Sequence, residues 1–131
     1  MDKKKILLID DEEDFCFFVK LNLERTGEYQ VFTATDGIEG IRLAKQLKPD
    51  LIFLDIVMPK MDGGRVAEIL LEDESTKNIP FVFVTAMISD NNLAGYGGEI
   101  GGRDFITKPV VSKNLIEKIE QYYPVKKESC R

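Results

Sequence analysis

The chain has 131 residues, of which 44% are hydrophobic and 31% are charged, and its formal net charge at pH 7 is -5. This length and composition fit one domain with a hydrophobic core. The net negative charge argues against broad affinity for nucleic acid. No apolar run approaches the roughly 20 residues that a membrane-spanning helix needs, so we expect no membrane insertion.

The sequence contains no histidine and two cysteines, Cys16 and Cys130. Histidine-based catalysis and histidine metal ligands within this chain are therefore excluded. The cysteines lack the spacing of a metal or redox motif, which favours free thiols in a reducing cytoplasm. The N-terminal MDKKK precedes a short apolar run without a cleavage signal, so a secretory signal is not expected. These features predict a cytoplasmic protein.

Five short apolar segments recur along the chain, with stretches of helical periodicity between them. The segments are residues 5–10, 29–34, 51–55, 81–85 and 103–107. The runs ILLI, LIFL and FVFV do not alternate apolar with polar residues, which is typical of strands buried on both faces of a parallel sheet. The alternation predicts an α/β fold, a flavodoxin-like (βα)5 domain with a doubly wound parallel sheet and strand order 2-1-3-4-5.

Apolar residues at helical spacing predict the buried faces of four helices. The predicted faces comprise Phe15, Phe18, Val19, Asn22 and Leu23 in the first helix, Ile38, Ile41, Ala44 and Leu47 in the second, Val66, Ile69 and Leu70 in the third, and Leu115, Ile119 and Tyr122 in the last. Phe17 and Leu21 form a second apolar strip on the first helix. This strip either docks a partner helix or lies under a neighbouring loop.

The segment between the fourth and fifth strands departs from this regular pattern. Residues 86–102 read AMISDNNLAGYGGEIGG and contain five glycines. Glycine costs about 1 kcal/mol relative to alanine inside a helix, so we expect a short or irregular helix near residues 90–96, followed by a mobile loop. The polar tail is expected to fray. The predicted boundaries are residues 1–124 for the domain and 125–131 for the tail.

Polar residues stand at the ends of four of the predicted strands. They are Asp10 and Asp11 after the first strand, Asp55 after the third, Thr85 and Ala86 after the fourth, and Lys108 after the fifth. Ligands of open parallel sheets bind beyond the carboxyl ends of the strands, where the predicted strand order would gather these groups. Three carboxylates and one ammonium need a cation, and oxygen ligands without histidine or cysteine suit Mg²⁺.

This set of groups supports phosphoryl transfer, which needs a nucleophile, charge neutralisation and in-line positioning. The Asp55 carboxylate is a competent nucleophile. Lys108 would pair with one phosphoryl oxygen, and the Thr85 hydroxyl or the Ala86 N–H with another. Each residue alone has an ordinary structural explanation, as a helix-start acid, a turn residue or a surface lysine. Their joint placement at four strand ends favours a functional site.

The segments ILLIDDEED, PDLIFLDIVMPKMDGG, FVFVTA and DFITKP resemble the CheY-like receiver domain of two-component response regulators. The resemblance runs from about Lys4 to Tyr123. It implies that Asp55 accepts a phosphoryl group from a histidine kinase or phosphotransfer protein. It also implies that Asp10, Asp11 and Asp55, with the backbone carbonyl of Val57, bind Mg²⁺.

The resemblance further implies a switch through Thr85 and the aromatic Phe105, with Thr85, Ala86 and Lys108 binding the phosphoryl group. The domain would act on an unknown downstream protein, without contacting nucleic acid or membrane. We expect a monomer, with dimerisation possible on phosphorylation. The glycine-rich segment departs from the family's usual pattern, which is consistent either with an order-disorder switch or with a merely flexible helix.

Two other functions compete with the phospho-accepting receiver. A Mg²⁺-dependent phosphohydrolase with an aspartyl nucleophile usually carries a second carboxylate two residues further on, where this chain has Val57. A pseudo-receiver that only binds partners normally lacks an acidic residue or the lysine, and neither is missing here. A receiver is not an enzyme acting on a separate product, although it catalyses its own phosphorylation and hydrolysis.

Overall fold

A computed structural model of the chain describes residues 3–86, 105–108 and 110–124, with only the backbone of Thr85. The elements are β1 (Lys4–Ile9), α1 (Glu13–Arg25), β2 (Tyr29–Ala34), α2 (Gly37–Leu47), β3 (Leu51–Leu54), α3 (Gly63–Glu72), β4 (Phe81–Thr85), β5 (Phe105–Thr107) and a C-terminal helix (Ser112–Tyr122). The predicted irregular helix near residues 90–96 and the tail, residues 125–131, lie outside the described residues.

The five strands form one parallel sheet in the order β2-β1-β3-β4-β5, which confirms the predicted topology. In the register, Ile9 at the end of β1 lies beside Ala34 on one side and Leu54 on the other. The ladder continues one residue further, because the Asp10 N–H donates to Ala34 and the Asp55 N–H to Ile9, both at 2.9 Å. Asp10 and Asp55 therefore leave the sheet at the same edge.

Helices cover both faces of the sheet and bury two separate hydrophobic clusters. α1 and the C-terminal helix pack on one face, and α2 and α3 pack on the other. Along β1, Ile6 and Leu8 belong to the first cluster and Leu7 and Ile9 to the second. All four side chains are fully buried, which explains why the strand sequences do not alternate apolar with polar residues.

Two helices begin at aspartates whose side chains cap them. The Asp36 carboxylate accepts the Glu39 N–H at 2.8 Å, and the Asp62 carboxylate accepts the Arg65 N–H at 2.9 Å. α2 ends at Lys48, which adopts a left-handed conformation with φ 48° and precedes Pro49. Within the described ranges, no helix has the length and hydropathy needed to cross a membrane.

The predicted helix faces are wrong at two large apolar residues. Phe18 is 43% exposed, and Ile38 is 68% exposed. Small residues face the sheet instead: Cys16 is buried in α1, and a Cβ on Gly40 of α2 would lie 2.5 Å from Ile9 Cδ1. Hydrophobic spacing favours bulky side chains, whereas close packing of a helix on a sheet is decided by small ones. The other predicted face residues are buried or half-buried.

Candidate functional site

Three carboxylates meet at the carboxyl edge of the sheet. Asp10, Asp11 and Asp55 each offer an oxygen, and these oxygens lie within 4.8 Å of one another. Asp10 is fully buried and Asp55 is 4% exposed, while Asp11 is half-buried. Charges so close and so poorly hydrated repel one another, which requires a compensating positive charge.

The turn after β3 holds Asp55 in place through a close backbone approach. The Gly63 N–H, at the start of α3, donates to the Ile56 carbonyl at 2.8 Å. A Cβ on Gly63 would collide with the Asp55 carbonyl oxygen and lie 2.8 Å from Ile56 Cα. Only glycine fits there without a shift of the backbone. Asp62 and Gly63 therefore have structural roles, as a helix cap and a close backbone contact, and no catalytic role.

Lys108 extends from the end of β5 into the carboxylate cluster. Its Nζ lies 2.8 Å from Asp10 Oδ2, 2.6 Å from Glu12 Oε1 and 3.9 Å from Asp55 Oδ2. The side chain is only 12% exposed, and the ammonium also lies 4.5 Å from the ring centroid of Phe15. Sequence reasoning missed Glu12; the one available signal was its position directly after the acidic pair.

Burial sets the electrostatics of the acidic residues. Burial is the largest cause and the charge of the neighbouring Asp10 the second largest, and together they raise the pKa of Asp55 to about 7. The Lys108 charge and the hydrogen bond from the Val57 N–H act in the opposite direction and lower this pKa in part. Burial likewise raises the pKa of Asp10. Burial alone would lower the pKa of Lys108, but its contacts with Asp10 and Glu12 outweigh that effect and raise it to about 12. Lys108 therefore stays protonated at neutral pH.

These oxygen donors fit a divalent cation. Asp10 Oδ2 is buried and accepts no well-directed hydrogen bond, because its contact with Lys108 is an ion pair without hydrogen-bond geometry. Hard carboxylate oxygens of this kind suit Mg²⁺, and the three aspartates could hold such an ion. Val57 lies beside them, with its N–H 3.4 Å from Asp55 Oδ1. Its carbonyl as a metal ligand stays a prediction.

An open pocket of about 440 Å³ gives access to these groups. Its lining comprises Asp11, Glu12, Asp55, Val57, Ala86 and Lys108. Of the predicted phosphate-binding groups, Ala86 and Lys108 therefore face this space. Thr85 ends β4 in register with Thr107 of β5, but its side chain lies outside the described residues. The pocket is large enough for a phosphoryl group and the end of its donor.

Phe105, the predicted switch aromatic, lies in β5 opposite Phe83. Its ring is half-buried and packs against the cluster under α2 and α3. An intermediate position of this kind leaves room for a change of burial in either direction. Its role as a switch stays a prediction.

Comparison with known proteins places these features in a family. The sequence-family model for the response regulator receiver domain matches residues 6–120 of this chain. The chain is 41% identical to the DNA-binding dual master transcriptional regulator RpaA of Synechocystis, over 88% of this chain and 47% of that protein. It is 36% identical to protein PilH of Pseudomonas aeruginosa, over 88% of this chain and 93% of PilH. The chain thus spans about half the length of RpaA and nearly all of PilH.

Solved structures agree with this assignment. The receiver domain of the Francisella response regulator 1452 matches with a TM-score of 0.78 and 30% identity, over 92% of this chain and 97% of that one. The chemotaxis protein CheY4 of Vibrio cholerae matches with a TM-score of 0.79 and 25% identity, over 92% of this chain and 99% of that one. The chain therefore belongs to the response regulator receiver domains of two-component signalling.

Proposed function

We propose that this receiver domain accepts a phosphoryl group on Asp55 in a Mg²⁺-dependent reaction and so switches its partner-binding surface. The observation that carries the proposal is the placement of Asp55. Its carboxylate borders an accessible pocket, with oxygens of Asp10 and Asp11 within 4.8 Å and the Lys108 ammonium 3.9 Å away. Nucleophile, cation-binding groups and a fixed positive charge are the parts that phosphoryl transfer requires.

The transfer step uses the ionised form of Asp55. One carboxylate oxygen attacks the phosphorus of a phosphohistidine, a new O–P bond forms, and the P–N bond breaks with its electron pair left on the imidazole. Lys108 remains protonated and neutralises one phosphoryl oxygen, and the Ala86 N–H or the Thr85 hydroxyl donates to another. Positive charge beside Asp55 favours its ionised form against the effect of burial.

Mg²⁺ would be held by Asp10, Asp11 and Asp55 together with the Val57 carbonyl. When bound, the ion neutralises phosphoryl charge that the three carboxylates would otherwise repel. Lys108 alone cannot do this, because its ammonium is already shared between Asp10 and Glu12.

The output would follow from a rearrangement at β4 and β5. An aspartyl phosphate gains acceptor oxygens that attract the Thr85 hydroxyl, and Phe105 turns inward into the space that Thr85 leaves. The half-buried position of Phe105 supports this movement. The domain, residues 1–124 with a polar tail, would then bind an unidentified downstream protein. We expect a monomer that can dimerise on phosphorylation.

The phosphoryl donor would be a sensor histidine kinase or a phosphotransfer protein that docks on α1. Phe17 is 69% exposed and Leu21 is 47% exposed, so neither lies under a neighbouring loop of the described chain. Phe18, the misassigned core residue, adds a third apolar side chain to this helix surface. An exposed apolar strip on α1, the helix that starts directly after the pocket residue Glu12, suits a helix carrying the phosphohistidine.

The competing functions have less support. A phosphohydrolase with an aspartyl nucleophile usually carries its acid/base carboxylate two residues after that nucleophile, and this position is Val57, half exposed and apolar. A pseudo-receiver would lack part of the set that the structure gathers at this edge. The domain is therefore not proposed to act on a separate substrate.

Intact-protein mass after incubation with acetyl phosphate tests the proposal. The wild-type chain should gain one phosphoryl group with Mg²⁺ and none with EDTA. Asp55→Asn should gain none, whereas Asp14→Asn, which removes an exposed carboxylate at the start of α1, should behave as wild type. A wild-type chain that gains no mass from acetyl phosphate or from any kinase would leave the pseudo-receiver as the better description.

A further inference from the structure

Lys108 is held at the start of α1 rather than on the proposed acceptor. Its ammonium donates to Glu12 Oε1 at 2.6 Å and lies 4.5 Å from the centre of the Phe15 ring. The distance to Asp55 Oδ2 is 3.9 Å, too long for a hydrogen bond. Glu12 and Lys108 are 96 residues apart in the chain, so their contact depends wholly on the fold.

We infer that Glu12 is a positioning residue that competes with the phosphoryl group for Lys108 and so restrains phosphorylation of Asp55. The inference rests on the proposed function, because it concerns the same transfer step. Glu12 itself lies outside the acidic cluster that could hold a cation.

The small number of hydrogen-bond donors on Lys108 supports this role. An ammonium carries three N–H donors. Glu12 accepts one of these hydrogen bonds, and the Asp10 carboxylate blocks a second direction as an ion-pair partner, which leaves one direction open for an incoming phosphoryl oxygen. A second contact with the phosphoryl group requires the release of one carboxylate, and Asp10 is fully buried in the sheet edge. Glu12 is the partner that can be released.

Two features make Glu12 releasable yet well placed. Its side chain is 61% exposed, so the freed carboxylate is rehydrated at once and the ion pair is weak. Its backbone N–H donates to Asp10 Oδ1 at 2.9 Å, which fixes the start of α1 against the acidic cluster. Glu12 therefore returns to the same position whenever the phosphoryl group leaves.

Glu12→Gln tests the inference, because it keeps the size of the side chain and removes its charge. We expect phosphorylation by acetyl phosphate to become about 1.5- to fivefold faster, the range that an exposed ion pair supports. Glu13→Gln is the matched control: the adjacent residue is exposed and forms no ion pair with Lys108 within the described residues, and the charge change is identical. Its rate should stay that of wild type.

Two further measurements separate an effect of Glu12 on the position of Lys108 from a general effect of its negative charge on the phosphorylation rate. In a Lys108→Gln background, Glu12→Gln should leave the phosphorylation rate unchanged, because Glu12 acts through Lys108. Without any phosphoryl donor, the Lys108 ¹³Cε NMR signal, assigned by its loss in Lys108→Arg, should shift in Glu12→Gln and not in Glu13→Gln. Thermal unfolding confirms that each variant is folded.

The outcomes distinguish the inference from the proposed function. Equal rates for Glu12→Gln and Glu13→Gln, with a wild-type chain that is phosphorylated, would overturn the inference alone. An acceleration that persists in the Lys108→Gln background would also overturn it, since the effect would then be general repulsion. A wild-type chain that is never phosphorylated would overturn the proposed function and the inference together.

Discussion

Replacing Asp55 by asparagine should stabilise the metal-free protein, and the gain should grow with pH. The unfolded chain gives an aspartate its ordinary pKa of 3.8, whereas burial and Asp10 raise the pKa of Asp55 to about 7. Between these values the folded state binds the extra proton, so stability falls as pH rises through this window. Above pH 7 the full penalty of a buried charge applies. Asparagine has nearly the same shape and never carries that charge.

The size of this stabilisation follows from the difference between the pKa of Asp55 in the folded protein and in the unfolded chain. A tenfold change in an ionisation constant corresponds to about 1.4 kcal/mol, so the upper bound at pH 8 is about 4 kcal/mol. Rearrangement of the half-buried Asp11 and entry of water reduce the penalty below this bound. We therefore expect Asp55→Asn to raise the free energy of unfolding by roughly 1–3 kcal/mol at pH 8. At pH 4, where even the unfolded chain is half protonated, the gain should be well below 1 kcal/mol.

Urea unfolding in EDTA at pH 4, 6 and 8, followed by circular dichroism, measures this gain for Asp55→Asn. Asp14→Asn carries the same charge change at an exposed site and should not stabilise the protein at any of the three pH values; loss of its interaction with the dipole of α1 should cost at most about 1 kcal/mol. Mg²⁺ should stabilise the wild-type chain more than Asp55→Asn and so narrow the difference. A variant less stable than wild type at pH 8, or a gain independent of pH, would refute the reasoning.

Three further predictions concern the surroundings of the site. Gly63→Ala should lower the free energy of unfolding in urea by at least about 2 kcal/mol, because the new Cβ meets rigid backbone. Gly64→Ala, whose Cβ would have Asp62 Oδ1 at 3.4 Å as its nearest contact, should not lower it. Equal effects of the two variants would contradict the packing at Gly63. Val57 offers no group to orient a water, so the phosphorylated chain should lose its phosphoryl group over minutes or longer by mass spectrometry, and decay within seconds would argue against this. Burial raises the pKa of Cys16 to about 12, so at pH 8 a thiol reagent should label Cys16 at least about a hundredfold more slowly in the folded protein than in the unfolded chain. Peptide mass spectrometry separates Cys16 from Cys130, and rapid labelling of Cys16 in the folded protein would show that its thiol is not buried.

Much of the fold was predictable because it depends on local patterns and one topological rule. Apolar runs without alternation, separated by helical spacing, predict strands buried on both faces, and the observed strands begin and end within two residues of those segments. Once the strand order is known, residues after β1, β3 and β5 must meet at one edge. The proximity of Asp10, Asp55 and Lys108 therefore follows from chain order, although their chemical roles remain to be tested.

The helix faces were harder to predict, for a packing reason. Phe18 and Ile38 are large and apolar and lie at helical spacing, yet both are exposed. Gly40 carries no such signal, but its lack of a side chain lets α2 approach Ile9. Hydrophobicity measures what a side chain gains from burial, whereas the spacing between helix and sheet is decided by what fits.

Residue types and their order along the chain were sufficient to predict the family, the strand order and the acidic edge. The folded structure was needed to show how the charges at that edge share their partners. Lys108 could have paired with any nearby carboxylate, and its contact with Glu12 depends on the angle at which α1 leaves β1. The pKa of Asp55 likewise depends on burial and on distances to Asp10 and Lys108. Electrostatic energy varies with distance and hydration, and neither is encoded in the spacing of residues along a chain.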